Sequence, residues 1–134
     1  MPTVQELREG LAVRLRTISG LRAASTQPDN PNPPQAIVNL DSITYDTAFA
    51  RGLDEYQFTI LVLAGRVAER TSQNRLEAYL NPSGSSSIKV AIQGDRTLGG
   101  KAQALRVTEV TSYGSLNVGD ITYLAANITV VVYA

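Results

Sequence analysis

The sequence predicts an α+β domain, a mainly antiparallel or mixed β-sheet flanked by an N-terminal helix and two central helices, with a long β-hairpin. Three observations predict it. An apolar stripe at helical spacing opens the chain, two alternating runs flank a charged turn between residues 43 and 64, and the last third is rich in β-branched side chains. With 134 residues, 43% of them apolar, the chain suffices for one ordinary domain and falls short of two, so residues 1–134 read as a single unit.

The first helix is announced by Thr3 and Glu6, which fit a capping box, followed by Val4, Leu7, Leu11, Leu15 and Ile18 up to Gly20. Its other face carries Glu6, Glu9, Arg14 and Arg16 and reads as solvated. After the short apolar "LRAAS", the proline-rich stretch "TQPDNPNPPQ" forbids helix and central strand alike, so residues 27–34 form a loop. "AIVNL" then reads as a buried strand, with Asp41 and Ser42 as the turn that follows.

Ile43, Tyr45, Thr47 and Phe49 share one face of the next run, and Tyr56, Phe58, Ile60 and Val62 share one face of the run after it, with "ARGLD" turning between them. This is the hairpin. Its second strand ends in the unbroken Ile60 to Leu63, which predicts cover on both faces and a central place in the sheet. Thr71 or Ser72 can cap a second helix with Leu76, Tyr79 and Leu80 inward and Arg75 and Glu77 outward, ending near Asn81 because Pro82 follows. Residues 103–134 read as two long strands with a small hairpin inset at "LNVGDITY", where Gly119 and Asp120 suit a two-residue turn.

Composition excludes much of ordinary enzymology. Neither Cys nor His occurs, which removes thiolate and imidazole chemistry, the usual zinc ligands and the commonest general base near neutrality. Lys plus Arg and Asp plus Glu each total 12, so no long-range field draws the chain to nucleic acid or to an anionic membrane. No run approaches the ~18 apolar residues that span a bilayer, and the charged first turns lack an apolar leader. A soluble, unexported protein is expected.

The densest run of small residues, "NPSGSSSIKVAIQGDRTLGG", poses the question of a phosphate cradle. The Walker pattern requires a second glycine and a Ser or Thr on either side of its lysine, and here Ile88 and Val90 flank Lys89 instead. A short helix accounts for the stretch better: Ser85, Ser86 or Ser87 caps it, Ile88, Ala91 and Ile92 form its buried face, and Gly94 ends it. Capping equally accounts for the three serines beside Lys89, the chain's nearest approach to a Ser-Lys pair. Asp54 and Glu55, and more loosely Asp41, Asp46 and Asp120, lack the spacing of a calcium loop and read as solvated turn residues. No catalytic residue, cofactor site or metal site is predicted, and the chain reads as a non-enzyme. Arg96, Lys101 and Arg106 gather basic charge without the interleaved aromatics of a stacking platform, which favours a protein contact over nucleic acid and leaves a solvated loop as an equal reading.

The wording and order of "NPPQAIV", "ITYDTAFARGLDEYQFTILVLAGR", "LEAYLNPSGSSSIKVAIQGDRTLGG" and "VTEVTSYGSLNVGDITYLAANITVVVYA" resemble tail terminator proteins of long-tailed bacteriophages, over most of the chain. That resemblance implies a structural virion protein, assembled in the host cytoplasm, that forms a homo-oligomeric ring, a hexamer, in the neck of the tail. The ring would cap the head-proximal end of the tail tube, stop its growth and dock to the head-tail connector protein, with DNA as passing cargo and no membrane contact. The expected contacts with neighbouring subunits or the tube are Asp46, Phe49, Arg51, Asp54 and Glu55 near the hairpin tip, with Arg96 and Lys101 in the loop after the third helix. Another neck component, such as a head-closure or tail-completion protein, is the alternative, and a small anion-binding module is a further one.

Overall fold

The computed structural model describes residues 3–18, 21–24, 34–45, 54–66, 70–100, 102–118 and 120–134. Helix α1 (Val4–Leu15) begins as the capping box requires, with the Glu6 amide donating to the Thr3 hydroxyl at 3.1 Å. Its stripe of Leu7, Leu11 and Leu15 is fully buried, and Ile18 just beyond it is buried too. Strands β1 (Arg22–Ala24), β2 (Gln35–Thr44) and β3 (Glu55–Arg66) follow, then helices α2 (Arg70–Leu80) and α3 (Ile88–Gln93), then strands β4 (Ala104–Val118) and β5 (Ile121–Tyr133).

The five strands form one mixed sheet in the order β1-β2-β3-β5-β4, in which only the β1·β2 pairing is parallel. β3 is central, as its apolar run requires. Phe58, Ile60 and Val62 lie on one face in a single core with Leu7, Leu11 and Leu15 of α1, Leu76 and Tyr79 of α2, and Ile88 and Ile92 of α3. All three helices therefore cover the same side of the sheet. On the opposite side, Ile37, Leu63, Tyr123 and Ala125 make a second, smaller core, with Leu61, Leu116 and Ile121 packed around it. This is what allows Leu63 to be buried although its side chain points away from the helices.

Several expectations need correction. Asp41 and Ser42 do not end a strand: β2 runs on to Thr44, and its pairing with β3 steps past Asp41 as a β-bulge between Leu40 and Ser42. Sheet pairing overrides the local turn preference, and the Gln57 amide donates to the displaced Asp41 carboxylate at 3.2 Å. Ser72 does not cap α2, which begins at Arg70; the Ser72 hydroxyl is buried inside the helix and donates to the Arg66 carbonyl at 2.8 Å. Arg75 does not point to solvent but is half-buried and donates to the Ala64 carbonyl at 3.1 Å. Arg14 likewise leaves the solvated face to donate from Nε to the Ala91 carbonyl at 2.9 Å, joining α1 to α3. The inset hairpin is the tip of one continuous β4–β5 hairpin, whose pairing reaches Val118 opposite Ile121.

α3 follows its prediction closely. Ser87 caps it, accepting from the Val90 amide at 3.2 Å, and Ile88, Ala91 and Ile92 are buried before Gly94 ends it. The Ser87 hydroxyl also donates to the Asn81 carbonyl at 2.5 Å, stitching the end of α2 to the start of α3.

Candidate functional site

Strand alternation fixes which side chains stand on the face that no described helix covers. The pairings Ser42 with Gln57, Asn39 with Thr59, Glu109 with Thr129, and Thr111 with Asn127 place these eight polar residues there together, with Arg106 opposite Val131 beside them. Beyond the small apolar core at one end, this face is a band of hydroxyl, amide and carboxylate groups. Most of its residues on β2 and β4 are exposed.

On β2 and on β4 there is a stretch of edge along which no described residue pairs. β1 covers β2 only from Gln35 to Ile37, so from Val38 to Thr44 no described residue pairs with the outer edge of β2. β4 is the opposite border, and along its whole length it pairs only with β5 among the described residues. Its register steps at Thr108 and again at Ser112–Tyr113, where Ser112 takes a left-handed φ of 57°. Bulges of this kind commonly guard an edge against indiscriminate pairing. Two exposed apolar side chains, Val110 and Tyr113, nonetheless stand on it.

Beside β4 on the helix side lies an open groove of about 150 Å³. Tyr79, Leu80 and Pro82 at the end of α2 form one wall, Val107 and Val110 the other, and Lys89 and Glu109 stand at the rim. The turn after α3 makes a second feature. Asp95 accepts from the Thr97 hydroxyl at 2.7 Å, the Thr97 amide at 3.1 Å and the Gly99 amide at 2.9 Å. These bonds, the Thr97 hydroxyl foremost, hold its carboxyl below the usual carboxylate range. They also drive Leu98 into the core at φ 50°, against Gly10 of α1.

The expected contact residues fall as follows. Asp46, Phe49, Arg51 and Lys101 lie outside the described residues. Asp54 and Glu55 are half-buried at the entry of β3 and not exposed at a turn; Asp54 exchanges two backbone hydrogen bonds with Ala134, at 2.9 and 3.0 Å. The Tyr56 hydroxyl next to them is pushed above its ordinary pKa by burial and then by the Asp54 carboxylate. Arg96 is exposed in the turn that Asp95 holds. Asp41 and the β4 edge, which sequence reasoning took for turn and plain strand, are the features the structure brings forward.

Among the described residues no group of three or more acidic side chains gathers as a metal site, and no helix is long and apolar enough to cross a membrane. No protein-family model matches the chain, and no curated protein matches it.

Proposed function

We propose that this chain is a structural subunit of a phage virion, a tail terminator that closes into a ring on the head-proximal end of the tail tube and joins it to the head-tail connector. The observation that supports the reading is a sheet in which, among the described residues, border strand β4 pairs on one side only and one polar face carries no helix. A domain built so has surface suited to joining copies of itself and leaves a polar wall free. That wall, in a ring around passing DNA, carries Arg106 against Glu109 and Asp41, so it offers no net basic surface to grip phosphates.

The test is polymerisation of purified tail-tube subunits with and without this protein, followed by electron microscopy of tube length and tube ends. The reading expects shorter tubes with added density at one end, competent to bind the connector. Tubes of unchanged length with bare ends would overturn it, and binding to the connector alone would move the protein to the head-closure side of the neck.

A further inference from the structure

We propose that two copies of this chain pair through their β4 edges about a twofold axis at Val110, each seating its Tyr113 in the groove beside the other's β4. The inference goes beyond the ring reading and does not rest on it, because a twofold contact closes with two copies and is additional to any contact that closes a ring. Exposure points to this edge. Thr108 to Tyr113 are consecutive exposed residues on a border strand, and among the described residues none pairs with their outer side. Two of them are apolar: Val110 is 42% exposed and Tyr113 47%.

Pairing with β5 sorts β4 into two sides. Val107 and Val110 stand opposite Val130 and Ile128 on the helix side, and Tyr113 joins them because its neighbour Gly114 stands opposite Ala125 on the other side. The register follows from the bulges. They fall at Thr108 and at Ser112, two residues before Val110 and two after it. Turning β4 about an axis through Val110, normal to the sheet, therefore sets bulge against bulge, and the ladder keeps step from Ala104 to Leu116 with every side chain on the side of its like. Val110 meets Val110, Glu109 meets Thr111, Val107 meets Tyr113, and Arg106 meets Gly114, which leaves room for it. A strand without the same two irregularities loses step at one of them, so the fitting occupant is a second copy. On the helix side, the groove of about 150 Å³ lies between Val107 and the wall of Tyr79, Leu80 and Pro82. Tyr113 of the second copy, opposite Val107, comes to its mouth. An exposed ring and an apolar groove thus cover each other twice in one contact.

An axis between Val107 and Thr108 is the competing register, and it sets each Arg106 against Glu109 of the other copy. Surface ion pairs of this kind contribute little. That register also shortens the ladder to residues 104–111 and leaves Tyr113 past its end, so burial decides for Val110. With the axis at Val110 the two Glu109 carboxylates stand diagonally across it, and the two registers give Glu109 opposite signs: it opposes pairing in one and supports it in the other.

The chain has no native cysteine, so a single engineered thiol reports the axis. Directly opposite residues of an antiparallel pair stand within disulfide reach. Mild oxidation of Val110→Cys is expected to give linked dimers on a denaturing gel, whereas Val90→Cys, similarly exposed on α3, should stay unlinked. Sedimentation equilibrium of wild type should show monomer and dimer in exchange. Tyr113→Ser should weaken the dimer about tenfold, and Glu109→Gln should tighten it; both positions are exposed, so circular dichroism should show both variants folded as wild type. The inference is overturned if wild type stays monomeric at about 1 mM, if dimers form without the 110 link, or if Glu109→Gln loosens the dimer, the mark of the Arg106–Glu109 register. Tubes capped by rings in which position 110 stays unlinked would overturn this interface and leave the ring reading standing. A 110 link in a protein that does not cap tubes would do the reverse.

Discussion

Leu98 occupies a backbone conformation that costs a non-glycine residue about 1–2 kcal/mol, yet its side chain is only 4% exposed. Two things hold it there. Burial against α1 recovers roughly 2–3 kcal/mol, and Asp95 fixes the turn around it. Gly10 supplies the space, since a Cβ at that position would stand 3.2 Å from the Leu98 Cβ. Leu98→Ala should therefore cost about 2–4 kcal/mol by urea unfolding. Gly10→Ala should destabilise despite its better helix propensity, because the atom it meets is fixed to a constrained backbone. For Asp95 the sign follows from its folded pKa, which lies below the ordinary 3.8. Its contribution is present above that ordinary value and is lost as pH falls through the folded pKa. Asp95→Asn should thus melt below wild type at neutral pH, and the two curves should converge as pH drops below about 4.

At the scale of elements, Ser87 is the joint between two helices, capping α3 while holding the last turn of α2 through the Asn81 carbonyl. Ser87→Ala is expected to cost about 1–2 kcal/mol, with Ser85→Ala near neutral, as chemical denaturation would show. Millimolar inorganic phosphate or ATP should leave the melting temperature of wild type unmoved, since a bound anion would raise it. α1 was legible in the sequence from its cap and apolar stripe, although it ends at Leu15 and not at Gly20, and α3 because cap, apolar stripe and terminating glycine lie within one short window. The central place of β3 was legible because four consecutive apolar residues have no solvent-facing alternative. What escaped reading was set across the fold. Arg14 and Arg75 bond carbonyls 77 and 11 residues away, and nothing local distinguishes them from solvated arginines. Asp41 passes for a turn residue until β3 is alongside to carry the strand past it. Asp54 and Glu55, taken for exposed turn residues, escaped reading because their burial is set by the far end of the chain, with Asp54 bonded to Ala134.

For the whole molecule, the helices on one side and the polar band on the other divide the labour between stability and contact. Phe58, fully buried on the central strand under the helices, should cost about 3–5 kcal/mol when truncated to Ala. Substitutions of Thr59 or Thr111 on the open face should stay within about 0.5 kcal/mol. If copies associate into a ring, the melting temperature of wild type must rise with protein concentration. Calorimetry across a range of concentrations checks it.

The order of strands also has a consequence for synthesis. β3 needs β5 on its second edge, and β5 is the last strand of the eight elements to be made. At ~5–20 residues per second, the roughly 55 residues between Arg66 and Ile121 take on the order of 3 to 10 seconds to add. Throughout that interval the nascent chain holds its central strand with one border bare, and an emerging chain on a neighbouring ribosome meets it in the same state. The time to finish translation, more than the stability of the finished domain, sets the window in which this protein is open to mispairing.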